Sequence, residues 1–445
     1  MIRRVERADQ HLVPAPRVTI VVQNLPVPFD RRVWLECRSL VDAGYDVSVI
    51  CPKGPGDPAY EDIDGVRIHK YAPPRPANGA LSYFWEFGYC WVRTAALASR
   101  ILRRDGIDVL QACNPPDTYF ALARLLRRRG VQFVFDQHDL CAEVYQSRFE
   151  QASPWLTRAL LALERATYRT ADHVIATNDS YREIAMVRGH RSPDDVTVVR
   201  TGPDPDRLRR GAPDERLKRG REHLAVYLGV MGPQDGVDVA VRAIADLVHR
   251  QGRTDTSFAL IGDGDARDDL VDLVHALDLD DAVELPGRIS DEELFRYLST
   301  ASVGLSPDPP GPLNDVSTMN KTMEYMAFGV PVVAFDLKET IVSAGDAAVY
   351  ATGGDVRSFA DAIAGLLDDP DRRAALGASG RRRVEDVLAW TRQAPAYVGV
   401  FDRLTRFDRM TNRLARAQRA PRPNSTSGTV LARMERSVPS DQFST

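Results

Sequence analysis

Residues 314–336 carry the residue types that this sequence offers for binding a phosphorylated ligand. The segment reads NDVSTMNKTMEYMAFGVPVVAFD, and its pattern predicts a loop, a helix from about Met319, and then a strand after Gly329 and Pro331. A helix start exposes backbone N–H groups and the positive end of the helix dipole, which suits a diphosphate. Lys321 in the first turn would add a full positive charge.

Glu324 follows Lys321 by three residues and so lies about one helical turn further along. Its carboxylate can accept two hydrogen bonds from the vicinal hydroxyls of a ribose, which a single hydroxyl side chain cannot do. An i,i+3 ion pair on the helix surface would also explain the two residues. The Ser, Thr and Asn residues before the helix, and its setting between two strands, favour the ligand interpretation.

Two further loops follow apolar strands in the same half of the chain. They are GDGDARDDL, with Gly262 and Gly264, and LPGRIS, with Gly287, Arg288 and Ile289. Ligands of open α/β sheets bind at the carboxyl ends of the strands, where glycines permit close backbone approach. The Gly-Arg-Ile edge could bracket a flat base through main-chain contacts, although a lone GxG is as often a plain turn.

His138 follows an apolar strand in the segment FDQHDLCAEVYQSRF. We expect it to project from the carboxyl end of that strand into a cleft between two domains, where a neutral imidazole could bond a sugar hydroxyl or a leaving phosphate oxygen. A histidine beside an aspartate is equally consistent with a structural pair.

Near the first strand, NLPVPFDRRVW offers Asp30 as a helix N-cap, followed by Arg31 and Arg32 in the first turn. Arginines at that end oppose the helix dipole. The pattern therefore implies either an anionic ligand or a carboxylate neighbour for these side chains.

The elements that must position these residues alternate between short apolar runs and amphipathic segments. The runs are apolar on both faces, and helical segments end at Gly44 and Gly130, which predicts doubly wound α/β sheets. The alternation breaks in a Pro-, Gly- and charge-rich stretch near residue 205 and then restarts, so the chain of 445 residues is predicted to form two domains. The predicted divisions are a flexible segment 1–16, a first Rossmann-like domain 17–204, a second Rossmann-like domain 205–383, a helix 384–408, and a disordered tail 409–445.

Composition narrows the function classes. With 27% charged residues and a net charge of -4, the chain is not expected to bind nucleic acid. Its 5 cysteines include no CxxC pair, which predicts free thiols in a reducing compartment. The N-terminus lacks the apolar stretch of a secretory signal, so we expect a cytoplasmic protein. No His/Cys/Asp cluster has the spacing of metal ligands, and no metal is predicted.

The segment 80–104 is rich in aromatic residues and ends in arginines. It is interrupted by charges and too short between them to span a bilayer. It would either lie peripherally on the inner face of the plasma membrane or pack as an ordinary helix on its own sheet. The aromatic residues are Phe84, Trp85, Phe87, Tyr89 and Trp91, and the basic end comprises Arg100, Arg103 and Arg104.

Together these features resemble family four of the retaining glycosyltransferases, which have the GT-B fold of two Rossmann-like domains facing across a cleft. The resemblance covers roughly residues 17–405. Its most specific parts are the NKTMEYMAFGVPVVAFD block, the ALIGDGD and VELPGRIS loops, the DHVIATN strand with Ser180, and a closing helix around Trp390 that crosses back to the first domain in such folds.

The resemblance implies an enzyme that needs no cofactor and uses a nucleoside diphosphate sugar as co-substrate, for which we expect UDP. The first domain would hold a glycan or lipid-linked acceptor from cell-envelope or exopolysaccharide synthesis. Transfer would retain configuration, with the departing phosphate oxygen accepting the acceptor's proton on the same face.

By similarity, Glu324 corresponds to the second acid of the family's E-x7-E element, which holds the ribose. His138 corresponds to a histidine that touches the transferred sugar. Catalytic roles are therefore predicted for His138 and Lys321. Donor binding is predicted for Gly232, Gly262, Gly264, Gly287, Arg288, Ile289, Met319, Asn320 and Glu324.

Three features depart from the family pattern. The first acid of E-x7-E falls at Val316, and the Arg-x4-Lys pair falls at Val230 and Asp235. The paired glycines after the first strand are replaced by PFDRR. Lys321, the helix dipole, and Arg31 or Arg32 from across the cleft are the predicted replacements for the missing phosphate-binding cations.

Two other functions are compatible with these residues. A nucleotide-sugar epimerase of the same fold would need acid and base carboxylates in the first domain, where only Asp139 and Glu143 are suitably placed. A catalytically silent partner that binds sugar nucleotide for another transferase would also fit the missing cations.

Overall fold

The computed structural model of the chain describes residues 14–74, 80–149 and 151–406. The predicted flexible segment before residue 14 and the predicted disordered tail from residue 409 lie outside the described residues. Within them, the chain forms two mainly parallel sheets with helices between the strands, which confirms the predicted α/β fold class.

The first sheet contains eight strands. These are β1 (Arg17–Val21), β2 (Asp46–Pro52), β3 (Tyr60–Ile63), β4 (Val66–Tyr71), β5 (Val109–Cys113), β6 (Gln132–Gln137), β7 (His173–Ala176) and β8 (Val196–Val198). Their order is β3-β4-β2-β1-β5-β6-β7-β8, and β3 runs antiparallel to β4. Parallel pairing joins β1 to β2 and to β5, with Val18 opposite Val47 and Val109.

The second sheet contains six strands in the order β11-β10-β9-β12-β13-β14, and every pairing is parallel. They are β9 (His223–Leu228), β10 (Thr256–Ile261), β11 (Val283–Gly287), β12 (Val303–Ser306), β13 (Val332–Phe335) and β14 (Ala348–Ala351). Because all six run in one direction, their carboxyl ends lie along the same edge.

Helices occupy most of the remaining described chain. They are α1 (Arg31–Ala43), α2 (Ala80–Arg104), α3 (Phe120–Arg127), α4 (Cys141–Arg148), α5 (Pro154–Thr170), α6 (Asp179–Val187), α7 (Val237–Ala245), α8 (Arg267–Ala276), α9 (Asp291–Thr300), α10 (Asn320–Ala327), α11 (Lys338–Ala344), α12 (Val356–Leu367), α13 (Pro370–Arg383) and α14 (Trp390–Thr405).

The described chain divides into two compact units. One contains the residues up to Cys113, Tyr119–Val134 and the chain from Tyr397, and the larger one contains Asn114–Thr118 and Phe135–Ala396. All strands of the second sheet, together with β7 and β8, belong to the larger unit.

The second sheet is buried on both faces. Ala225 and Tyr227 of β9 belong to one hydrophobic cluster, while Leu224 and Val226 of the same strand belong to another. Successive side chains of a strand point to opposite faces, so each face has its own core. This confirms the prediction that the strands are apolar on both sides.

Local signals at helix ends behave as predicted. The Asp30 side chain accepts a hydrogen bond from the Val33 N–H at 3.0 Å, and Gly44 ends α1 with a φ of 99°. The helix predicted from about Met319 begins at Asn320, with Met319 in the N-cap position. Gly329 then turns the chain with a φ of 66° before β13.

The packing of α10 on the sheet depends on a glycine in β12. A Cβ atom at Gly304 would lie 2.5 Å from the ring of the buried Tyr325. We expect Gly304→Ala to lower the free energy of unfolding by roughly 1–3 kcal/mol, because overpacking forces rigid neighbours apart. Urea unfolding followed by circular dichroism measures this loss.

Gly365→Ala is the matched control. A Cβ atom there meets nothing within 4 Å, and the residue lies inside α12. Alanine is preferred to glycine inside a helix, so this variant should be as stable as the wild type or more stable by up to about 1 kcal/mol. Equal stability of the two variants would contradict the packing argument.

Candidate functional site

Lys321 is buried at the start of α10 and reaches the loop that follows β9. Its Nζ donates a hydrogen bond to Asp308 Oδ1 at 2.6 Å, and both side chains are at most 8% exposed. The ammonium lies 5.0 Å from the centre of the Tyr227 ring. A Cβ atom at position 229 would be 3.1 Å from Lys321 Cε, so Gly229 makes room for the lysine side chain.

A short chain of hydrogen bonds holds Asp308 in place. Thr322 donates to the Ser306 hydroxyl at 3.2 Å, and Ser306 donates to Asp308 Oδ2 at 2.8 Å. Burial opposes the charged form of Lys321, but the carboxylates of Asp308 and Asp235 outweigh it and raise the lysine's pKa. The lysine therefore keeps its charge although it is buried.

Asp235 occupies the turn between β9 and α7. Its Oδ2 accepts a hydrogen bond from the Gly232 N–H at 2.9 Å. Burial raises the pKa of Asp235 to about 6, Lys321 acts in the opposite direction, and Asp308 adds to the rise. Arg148, at the end of α4, also lowers this pKa, and α4 packs against the turn Pro233–Asp235.

Gly262 and Gly264 are required by the fold of the neighbouring loop. A Cβ atom at Gly262 would lie 1.8 Å from the carbonyl oxygen of Gly229, and one at Gly264 would lie 2.7 Å from that of Met231. Both have positive φ angles, of 147° and 157°. Contact between backbones thus accounts for these glycines by itself, and their predicted contact with a ligand stays a prediction.

The three loops predicted to bind the donor do lie together. The Gly229 N–H donates to Ile261 O at 3.1 Å, and the Gly262 N–H donates to Gly287 O at 3.1 Å. These bonds join the ends of β9, β10 and β11 in sequence. Arg288 is exposed beside them, and Ile289 is half-buried.

The first turn of α10 completes this edge of the sheet. Met319 stands in the N-cap position without a side-chain cap bond, and Asn320 is exposed as the first helical residue. Glu324 is half-buried on the same helix. The structure therefore gathers the loops that contain Gly232, Gly262, Gly264 and Gly287, together with the start of α10, at the carboxyl edge of the second sheet.

His138 lies directly after β6, as predicted. Its Nε2 is 2.7 Å from Asp136 Oδ2, and Asp136 is fully buried. The Asn114 side chain accepts from the backbone N–H groups of His138 at 2.7 Å and Asp139 at 3.2 Å. The aspartate bonded to the imidazole is thus Asp136, two residues earlier, and the adjacent Asp139 is held through its backbone.

Arg32 has the carboxylate neighbour that was one of the two alternatives for the PFDRR segment. Its Nε lies 3.0 Å from Glu36 Oε1, and the two side chains are 6% and 0% exposed. Gln111 donates to the other oxygen of Glu36 at 2.8 Å. This ion pair explains an arginine in the first turn without a ligand, while Arg31 is half-buried beside it.

Two groups of described residues bring three potential metal ligands within 4.8 Å of one another. One is Glu222, His223 and Asp255, which lies at the amino end of β9, opposite the loops described above. The other includes Asp136 and His138, the pair described above. The expectation of a metal-independent protein stays a prediction.

Comparison with known proteins separates the chain into two matched regions. Residues 30–202 match the family described as "Glycosyl transferase 4-like domain", and residues 222–369 match "Glycosyl transferases group 1". The chain belongs to glycosyltransferase family 4.

Curated relatives agree with this family. The chain is 29% identical to D-inositol 3-phosphate glycosyltransferase of Kineococcus radiotolerans over 54% of its own length and 59% of the relative. It is 32% identical to GDP-mannose-dependent alpha-(1-6)-phosphatidylinositol monomannoside mannosyltransferase of Mycolicibacterium smegmatis over 44% of this chain and 52% of that protein. The matched part thus spans just over half the length of each of these relatives.

Solved structures show the same fold. Sucrose-phosphate synthase of Thermosynechococcus elongatus superposes with a TM-score of 0.72 at 20% identity, covering 88% of this chain and all of that one. Anabaena HepE in complex with UDP gives a TM-score of 0.63 at 13% identity, covering 88% of this chain and 100% of that chain. The fold is therefore GT-B, as predicted.

The loop after β9 differs from the motif of family 4 at two positions. Val230 and Asp235 stand where the family has its Arg-x4-Lys pair. The side chain of Lys321 reaches the same loop from α10. Asp308 was missed by sequence reasoning. Its position two residues after the end of β12, at the carboxyl edge of the sheet, was the signal that could have found it.

The raised pKa of Asp235 predicts a pH-dependent stability. The folded protein holds this proton up to about pH 6, while the unfolded chain releases it near pH 3.8, the ordinary pKa of an aspartate. Stability is therefore lost as pH rises through this window. Asp235→Asn keeps an oxygen for the Gly232 N–H and removes the charge. The free energy of unfolding of this variant, relative to that of the wild type, should therefore rise by about 1–1.5 kcal/mol between pH 5 and 7.5.

Urea unfolding of both proteins at the two pH values measures this difference. The groups that face Asp235 are Lys321, Asp308 and Arg148, and they remain in both proteins. A stability difference that does not change with pH would show that Asp235 is already ionised at pH 5.

Proposed function

We propose that this protein transfers a sugar from a nucleoside diphosphate sugar to a glycan or lipid-linked acceptor, with retention of configuration and without a metal. The observation that carries the proposal is the edge of the second sheet. Three strand-end loops and the start of α10 meet there, with Lys321 and Glu324 on the first two turns of that helix.

The diphosphate would lie at the N-terminus of α10. Its first N–H groups have no side-chain cap, and helix starts attract anions through these groups and the dipole. Lys321 is charged but already paired with Asp308, so it contributes less than a free cation. Arg148 is exposed near Asp235 and is our candidate for additional positive charge.

Arg31 is retained as a further candidate, because Arg32 is engaged by Glu36. At the other end of the donor, Glu324 would accept hydrogen bonds from the ribose hydroxyls. The main chain at Gly287, Arg288 and Ile289 would bracket the base.

Charge that develops on the leaving phosphate would be stabilised by fixed dipoles and cations. In a same-face transfer the departing oxygen takes the proton of the acceptor hydroxyl, so no protein base is required. His138 would contact the transferred sugar, with Asp136 orienting its imidazole through the 2.7 Å contact.

The nucleotide is proposed to be UDP. One structural neighbour was solved with UDP, whereas the name of one relative specifies GDP-mannose. Thermal-shift measurements with UDP, GDP and ADP and their sugars separate these donors, because a bound nucleotide raises the melting temperature by mass action.

The epimerase alternative is weakened because one of its two candidate carboxylates, Glu143, is held in an ion pair. Glu143 Oε1 accepts from Arg188 at 2.6 Å, which gives this residue a structural role. A chain that binds nucleotide sugar but shows neither transfer nor hydrolysis would instead be the silent partner of another transferase.

Glu324→Gln tests the proposed donor site. We expect donor affinity measured by calorimetry to fall roughly 10- to 100-fold, since hydrogen bonds to a charged group contribute about 1.5–3 kcal/mol. The melting temperature should change little, because the residue is only half-buried.

Glu292→Gln provides the matched control, because Glu292 is exposed in the first turn of α9. It should bind the donor as the wild type does. Equal donor affinity of Glu324→Gln and Glu292→Gln would remove Glu324 from the site.

The proposal extends to the membrane surface through α2. No helix within the described residues is long and apolar enough to cross a bilayer. On α2, however, Trp85 is 68% exposed and Val92 is 60% exposed, while Ala98 and Ile101 on another face are buried. The side chain of Phe84, one of the predicted aromatic residues, lies outside the described part of the chain.

The exposed apolar residues precede a basic end of α2, where Arg100, Arg103 and Arg104 are all exposed. An exposed aromatic surface followed by arginines suits the interface of an anionic membrane. A lipid-linked acceptor would be reached from that position.

Replacing Trp85 and Phe87 together by serine tests this contact. Binding to vesicles that contain anionic lipid should fall at least several-fold in a sedimentation assay, and wild-type binding should weaken at high salt. Leu125→Ser, at a 57% exposed position on α3, is the control and should sediment as the wild type does. Equal sedimentation of the wild type with and without vesicles would rule out the membrane contact.

A further inference from the structure

The junction between β7 and α6 bonds directly to the segment that precedes α10. Residues 178–181 form this junction, and residues 316–318 form the segment. Both belong to the larger compact unit. The segment leads into Met319 and Asn320, where the proposed donor site begins.

Asn178 makes the central contacts and is fully buried. Its Nδ2 donates to the carbonyl oxygen of Val316 at 2.8 Å and to the hydroxyl of Thr318 at 3.0 Å. Its Oδ1 accepts from the Tyr181 N–H at 2.7 Å and so caps α6. One side chain therefore starts its own helix with the oxygen and holds a distant loop with the nitrogen.

Tyr181 holds the residue between those two. Its hydroxyl lies 3.2 Å from Ser317 Oγ, which itself donates to Leu313 O at 2.8 Å. The serine proton is used in that second bond, so the tyrosine must be the donor. Burial raises the pKa of Tyr181, which keeps its hydroxyl protonated for this role.

The neighbouring Ser180 makes a second attachment nearby. Its hydroxyl donates to Glu339 Oε1 at 2.7 Å, and Glu339 is 1% exposed on α11. Arg200 approaches the other carboxylate oxygen at 3.4 Å and Asp179 at 3.2 Å. The junction thus bonds both to the segment before α10, which precedes β13 in the chain, and to α11, which follows it.

Three consecutive residues of the segment are held by this one junction. Val316 stands where the family has the first acid of E-x7-E, and its side chain cannot bond a sugar. The backbone path of the segment sets where α10 starts and therefore where its free N–H groups point. A small shift of that path would misplace every donor contact made by the helix start.

We infer that Asn178 and Tyr181 are positioning residues for the donor site, which fix the 316–318 segment and thereby the start of α10. This inference rests on the proposed function. It predicts a loss of donor affinity from changes at residues that do not touch the donor.

Asn178→Asp gives the sharpest test. The new carboxylate keeps an oxygen to cap α6 but places another oxygen against the Val316 carbonyl, where the amide donated. We expect donor affinity to fall at least 10-fold, with KM for the donor rising more than kcat falls. Tyr181→Phe removes only the hydroxyl and should weaken donor binding several-fold.

Asp355→Ala is the control for a lost helix cap. Asp355 caps α12 through the N–H groups of Arg357 and Ser358. This variant should melt earlier than the wild type and bind the donor normally. Asn178→Ala, which loses both functions of the side chain, should show the lower melting temperature and the weaker binding together.

Hydrogen exchange of the backbone provides a readout that needs no nucleotide. Amides of residues 317–321 should exchange at least 10-fold faster in Asn178→Asp than in the wild type, and no faster in Asp355→Ala. Unchanged exchange there, or normal donor affinity in Asn178→Asp, would overturn the positioning role. Failure of the wild type to bind any nucleotide sugar would overturn the proposed function instead, while the exchange result would still decide whether the junction fixes the segment.

Discussion

The buried ion pair between Lys321 and Asp308 is the interaction on which the candidate site depends. It joins the start of α10 to the end of β12, and it lies beneath Gly229 in the loop after β9. Removing one partner of a buried ion pair typically costs about 3–5 kcal/mol, because the other charge is left without compensation. The pair therefore commits three elements of the site to one arrangement before any ligand arrives.

The same pair limits what the site can offer an anion. One ammonium faces two carboxylates, Asp308 at 2.6 Å and Asp235 in the adjacent turn. Burial, together with the nearby Asp308, raises the pKa of Asp235, so the charged form of this carboxyl is disfavoured. In the proposed function, a diphosphate would therefore rely more on the N–H groups at the start of α10, which have no side-chain cap, than on the already paired Lys321.

Much of this arrangement follows from the sequence, and the part that does not has a common physical cause. The strands, the start of α10 at Asn320 and the turn at Gly329 are encoded by local patterns. The pairing of Lys321 with Asp308 is not encoded locally, because Asp308 lies 13 residues earlier, beyond a proline-rich loop. Asn178 is more remote still, 138 residues from Val316, and only the folded chain brings the two together.

The glycines at the strand ends are required by contacts within the protein. Gly262 and Gly264 lie where they were expected, and the backbones of Gly229 and Met231 approach them closely, while their predicted contact with a ligand stays a prediction. Gly229 in turn admits the side chain of Lys321. The strand-end loops and the lysine side chain therefore pack against one another at positions that lack a Cβ atom. A positive charge reaches the loop after β9 from α10, and it can do so because Gly229 leaves room for the side chain of Lys321.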